Sequence, residues 1–108
     1  MPVSKAHRRA QKKAAGREGQ IEKTLKSGTR VDAITRVKAT EIERWPSPAR
    51  LHKSAERLKE SRKRQKVLVV PDSKMADARK AMRSVGIGGT VKNLSGTRRS
   101  PVAKPRRR

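Results

Sequence analysis

Asp32, Glu41 and Glu43 are the residues of this sequence whose types and spacing suit chemistry. They fall in two short segments rich in Val, Ile and Thr, 30–35 and 38–44, separated by Arg36-Val37, a pattern that reads as a β-hairpin. If the segments pair, Asp32 lies on one strand, while Glu41 and Glu43, two residues apart, project from one face of the next. Three carboxylates would then converge. Oxygen ligands are what a hard cation such as Mg2+ requires, and the ion in turn orients a water and stabilises charge on a scissile phosphate. Ile42 would add only its backbone carbonyl.

These acids stand out against their background. The 108 residues carry 31 Lys and Arg against 9 Asp and Glu, a net charge of +22, and the stretch 27–60 holds five of the nine acids. A compact chain so charged repels itself, and a polyanion that neutralises Lys and Arg and releases counterions is its natural partner. The expected partner is therefore nucleic acid. The residues expected to contact phosphate are Arg30 and Arg44, then Arg62, Lys63, Arg64 and Lys66, then Arg98, Arg99, Arg106, Arg107 and Arg108. An acidic membrane would attract the same charge, but no long apolar stretch and no basic helix with a bulky apolar face accompanies it.

Phe and Tyr are absent, so Trp45 is the one ring able to stack on a base. Single-strand binders usually present several such platforms, which favours backbone contact over stacking. The absence of Cys excludes disulfides and thiolate metal sites. His7 and His52 fit no zinc-ligand spacing and read as surface residues of basic helices. The first nine residues are basic with no apolar segment behind them, unlike a secretory leader, and the expected location is the cytoplasm.

The elements that must position the acids follow from periodicity. Residues 1–16 read as a basic N-terminal arm and 17–26 as a helix stopped by Ser27-Gly28. After the hairpin, Pro46 and Pro48 end the pairing. Ser47 suits an N-cap with Pro48 at the first helical position, and Leu51, Ala55 and Leu58 repeat at helical spacing to about residue 62. Val67 to Val70 is a β-branched apolar run, as in a parallel strand covered on both faces. Met75, Ala78, Met82 and Val85 mark a helix begun at Asp72 or Ser73 and stopped by Gly86. No Lys-Ser or Lys-Thr follows Gly86-Ile87-Gly88-Gly89, so it reads as a turn rather than a phosphate loop. Residues 90–94 form the last expected strand, and 97–108 a disordered basic tail. One α/β domain over 17–96, with a parallel strand pair, results.

Arg30-Val31-Asp32-Ala33-Ile34 followed by Ala39-Thr40-Glu41-Ile42-Glu43 resembles the nuclease core of the restriction-endonuclease-like superfamily, and is similar to small archaeal Holliday-junction resolvases. The resemblance implies a small sandwich in which helices flank a central mixed sheet, with Asp32 and Glu41 holding Mg2+. It implies catalytic roles for Asp32, Glu41 and Glu43, joined by Glu18 from the preceding helix. Glu43 stands where that family usually has Lys, and the expected elements lack one strand of the family's meander. The implied function is magnesium-dependent hydrolysis of DNA phosphodiesters, for which a twofold dimer would suit cutting two strands. The residues alone also allow a noncatalytic binding protein, such as a packaging or ribosome-associated factor, whose acids form ordinary surface ion pairs of little energetic worth.

Overall fold

The computed structural model describes residues 5–15, 20–24 and 30–104, the side chains of 20–24 and of Arg30 excepted. Its elements are α1 (Lys5–Ala15), β1 (Gln20–Thr24), β2 (Arg30–Ile34), β3 (Lys38–Ile42), α2 (Pro48–Ser61), β4 (Gln65–Val70), α3 (Met75–Ser84) after a short 3-10 turn, β5 (Gly89–Asn93) and β6 (Arg99–Val102). The six strands form one sheet in chain order. β1, β2 and β3 make an antiparallel meander, β3, β4 and β5 run parallel, and β6 returns antiparallel along β5. The expected α/β architecture, a mixed sheet flanked by helices, is what the chain adopts.

Each parallel connection carries a helix, α2 between β3 and β4 and α3 between β4 and β5, and the two helices pack on each other. Leu51, Ala55 and Leu58 of α2 and Ala78 and Met82 of α3 bury themselves against Leu68, Val70 and Val91. Burying apolar area of this kind contributes about 25 cal/mol per Å² and is the main force holding the sandwich together. Strand alternation turns Val67 and Val69 to the other face. There α1 packs chiefly on β1, β2 and β3, and among the described residues no helix packs closely on the outer face of β4, β5 and β6.

The local devices of α2 are those its sequence suggests. Ser47 Oγ accepts from the Arg50 N–H at 3.2 Å, with Pro48 in the first turn, and Arg62 ends the helix in the left-handed region at φ 57°. The β2–β3 turn is tied by Thr35, whose N–H donates to the Lys38 carbonyl at 2.7 Å and whose Oγ1 accepts from the Lys38 N–H at 3.0 Å. The glycine-rich segment after α3 is a turn: Gly86 has φ +82° and Ile87 is buried.

Three expectations are corrected. The basic arm is helical over Lys5–Ala15 and docks on the sheet with Gln11 and Ala15 buried, because an Ala-, Lys- and Gln-rich stretch free of Gly has good helix propensity. The helix expected over 17–26 is replaced by β1 at Gln20–Thr24. Gly16, Gly19 and Gly28 punctuate that stretch, and pairing with β2 outweighs its local preference. Within the tail expected to be disordered from 97, Arg99–Val102 instead form β6, with Val102 buried and Pro101 tolerated because the strand lies at the sheet edge, while residues 105–108 lie outside the described residues. Buried Asn93 pins this hairpin: its Nδ2 donates to Asp72 and Thr97, each at 2.9 Å, and its Oδ1 accepts from the Arg98 N–H at 3.0 Å. No helix among the described residues is long and apolar enough to cross a membrane.

Candidate nucleic-acid interface and its neighbouring carboxylates

The ladder between β2 and β3 pairs Ala33 with Thr40 and Ile34 with Ala39. Next to it, side chains take over from backbone partners. The Asp32 N–H donates to Glu41 Oε2 at 2.8 Å, and the Ile42 N–H donates to Asp32 Oδ2 at 2.8 Å. Val31 and Ile34 both belong to the core although they are three residues apart, so the strand's alternation breaks between them. The break turns Asp32 toward α1, where Gln11 Nε2 donates to its Oδ1 at 3.3 Å and His7 Nε2 lies 3.3 Å from the same oxygen. Glu41 follows Ala39 onto the α2 face, and Arg57 Nη1 donates to its Oε1 at 3.2 Å. Glu43 accepts from Ser54 Oγ at 2.8 Å. Ser54 and Arg57, three residues apart on α2, thus hold both glutamates from one helix face.

Glu41 is 1% exposed, and its pKa is pushed up to about 8. Burial is the main cause and the charge of Asp32 the next; the Asp32 N–H bond and Arg57 offset only part of it. On the acid side of that value Glu41 carries a proton, and its contact with Arg57 is a hydrogen bond rather than a full ion pair. The expected Mg2+ site can be judged from these donors. Both oxygens of Asp32 and both of Glu41 already accept protein hydrogen bonds, and among the described residues no three His, Cys, Asp or Glu side chains group to share an ion. Gln11 Oε1 is buried and without a hydrogen-bond partner. As arranged the pair does not fit a ready cation shell; an ion shared by both carboxylates has to displace Arg57 or the Gln11 amide.

Ile42 joins this pair to a different surface. Its side chain lines a groove of about 270 Å3 between α1 and the turn after β5, with Val67 and Val69 beneath and Lys13, Lys38, Lys92 and Arg99 around it. Among the described residues none of these four cations pairs with a carboxylate. They crowd one another instead. Burial, followed by the charges of Arg99, Lys38 and Lys13, holds the Lys92 amine below the usual lysine range. The cationic lining continues past Lys38, Lys92 and Arg99 to Arg64 and Lys66, and from there into a bowl formed by Lys59, Arg62, Lys63 and Lys104 with the Gly86–Gly89 backbone. Lys66, too, is held below the lysine range by burial and by Lys104. Like charges assembled without counter-charge are stabilised by an anion, and backbone N–H groups and Lys and Arg side chains are the usual phosphate ligands.

The expected phosphate contacts divide accordingly. Arg62, Lys63, Arg64, Lys66 and Arg99 lie on this track. Arg98 is instead 3.5 Å from Asp72, an ion pair at the β5–β6 turn, and Arg44 is half-buried. Glu18, Arg106, Arg107, Arg108 and the side chain of Arg30 lie outside the described residues. Lys66 does not supply the cation absent at Glu43: its amine donates to the Lys63 carbonyl, and the cation beside Glu41 is Arg57. His7, expected on the surface, is half-buried against Asp32, whereas His52 is a surface residue 2.7 Å from Glu56.

Sequence reasoning missed Lys13, Lys38, Lys59, Lys92 and Lys104. A usable signal existed for two of them. Lys38 and Lys92 sit beside Ala39 and Val91, which are fully buried, so alternation sends both lysines to the face away from the core. Comparison of the chain with family models, with curated proteins and with solved structures gives no match.

Proposed function

We propose that the protein binds nucleic acid through its phosphate backbone, along the cationic track that runs from the α1 groove to the Gly86–Gly89 bowl. The observation that carries this reading is the set Lys13, Lys38, Lys92 and Arg99, four cations from four elements facing one groove with no carboxylate paired to them among the described residues. Bringing like charges together costs free energy, and phosphates recover that cost while releasing condensed counterions. A net charge of +22 adds long-range attraction for the same ligand.

The test is the salt dependence of binding to labelled oligonucleotides. Every phosphate that a cation neutralises adds about 0.7 to the log–log slope for a single strand, or about 0.9 for duplex. Replacing Lys13, Lys38 and Lys92 by Gln should therefore flatten the slope by about 2 to 3. Removing Lys53, Lys80 and Arg83 from the exposed surfaces of α2 and α3 should change it far less. Equal effects from both sets would defeat the assignment of the ligand to this face.

A second reading, a metal-dependent endonuclease, is favoured by a separate observation. The order helix, three-strand meander, helix, strand over α1 to β4 supplies the meander strand that the sequence pattern lacks, and Asp32 and Glu41 meet where β2 and β3 part. It ranks second because the oxygens of that pair are engaged by Gln11, His7, Arg57 and backbone N–H groups.

A further inference from the structure

Trp45 is the chain's one aromatic residue, and it is 80% exposed. Tryptophan is rarely left this open, since its large ring contributes most when buried. The loop that presents it is short and held at both ends. On one side the Glu43 N–H donates to the Val69 carbonyl at 2.9 Å, extending the β3–β4 pairing; on the other Ser47 caps α2. The ring therefore sits on an anchored loop three residues past the end of β3. The loop leaves β3 just beyond Ile42, which lines the groove and shares a cross-strand row with Val69, Lys92 and Arg99.

We infer that Trp45 is a stacking platform for an unpaired nucleobase, so that this surface selects single-stranded, overhanging or branched nucleic acid over continuous duplex. The inference rests on the backbone-binding reading above and adds the selectivity that phosphate contacts lack. Charge decides between the occupants an exposed indole could have. A second copy of the chain carries the same +22 and is repelled. A membrane would need a patch of bulky apolar residues, whereas the only other large apolar side chains exposed among the described residues are Val37 and Leu94. A nucleobase offers a π face and brings with it the phosphates that the groove's cations complement. Duplex hides that face except at its ends.

The absence of Tyr and of a second Trp makes indole emission a report on this one residue. Full-length protein is titrated with a single strand, a blunt duplex of equal length and the same duplex with an overhang, each labelled so that anisotropy reports binding independently. Single strand and overhang should quench Trp45. Trp45→Ala should weaken them about tenfold with little change for blunt duplex, and Trp45→Phe should retain most of the affinity. If anisotropy shows binding while emission is unchanged and Trp45→Ala binds single strands normally, the stacking role falls and backbone binding stands. If no oligonucleotide binds, both fall. A change in emission with anionic phosphatidylserine vesicles but with no oligonucleotide would make Trp45 a membrane contact instead.

Discussion

Asp32 and Glu41 fill the gap between β2 and β3 by exchanging backbone for side chain: the Asp32 N–H donates to Glu41 Oε2 at 2.8 Å, and the carboxylate of Asp32 accepts from Ile42, the residue after Glu41, at the same distance. The two acids approach from opposite faces, one engaged by α1 and the other by α2. Each carboxylate thereby satisfies a backbone donor that a continuous ladder would have used, so neither is an idle surface charge. Their proximity carries an electrostatic cost, and that cost appears in Glu41.

The first prediction concerns pH. Glu41 has a folded-state pKa of about 8 against 4.5 in a free chain, so the folded protein binds this proton more tightly than the unfolded chain does. Its contribution to stability is complete below pH 4.5 and is lost as pH rises through about 8. Thermal unfolding between pH 5 and pH 9 should show wild type losing stability on the alkaline side relative to Glu41→Gln. The Gln variant keeps an acceptor for the Asp32 N–H without the charge. The gap between the two should widen by about 1 kcal/mol or more over that range. Parallel pH profiles would mean that Glu41 stays ionised when folded.

A second prediction tests the C-terminal strand. Removing residues 97–108 would spare a protein whose tail is disordered, but here it strips β6 from the sheet edge, exposes the core around Val102 and takes from Asn93 two of its partners, Thr97 and Arg98. A buried donor or acceptor left unpaired costs about 1 to 3 kcal/mol, to which the exposure of apolar surface adds. The truncated chain should melt well below the full-length protein. Unchanged melting would refute the pairing of β5 with β6.

What the sequence disclosed and what it concealed divide along the range of the interactions involved. α2, α3 and β4 carry their evidence locally: a Ser-Pro cap, apolar residues at helical spacing, a β-branched run. β1 and β6 do not, because each becomes a strand by pairing with a neighbour, and nothing within Gln20–Thr24 or Arg99–Val102 announces that neighbour. The carboxylate motif was legible as a hairpin pattern. The turn of the Asp32 carboxylate toward α1, opposite the α2 face that takes Glu41 and Glu43, was not, since it follows from a break in alternation. The cationic groove was the least legible feature: Lys13, Lys38, Lys92 and Arg99 come from α1, β3, β5 and β6, and only the assembled sheet brings them together.

A third prediction concerns the approach of β5 to β4. Gly89 has φ +151°, and a Cβ there would strike the Lys66 carbonyl and the Met82 side chain. Gly89→Ala therefore forces apart a parallel strand pair in the core, with a cost of about 1 to 3 kcal/mol or more. Gly86→Ala meets open space but keeps the strain of φ +82°, so it should cost less, about 1 kcal/mol. Denaturant unfolding of both variants checks the order. If Gly86→Ala proves the more damaging, the close contact at Gly89 is not what the chain experiences.

The last prediction separates the two functional readings, and it turns on the same pair of acids. A binding protein uses Asp32 and Glu41 to close the gap between β2 and β3, so variants that keep their hydrogen-bonding shape should fold and should bind nucleic acid at least as well as wild type. Asp32→Asn and Glu41→Gln meet that requirement. A nuclease would need the charges themselves, and each variant would lose hydrolysis while keeping affinity. Wild type and both variants are incubated with single-stranded, duplex and branched DNA in Mg2+ and in Mn2+, and affinity is measured in parallel without metal. The arrangement of donors around the pair leads us to expect no cleavage by wild type and undiminished binding by the variants. Cleavage by wild type that both variants lose would reverse the ranking. Glu43→Lys, which places a cation near Ser54 and Arg57, would then be expected to raise the rate, because the developing charge on phosphate would gain the neighbour it lacks.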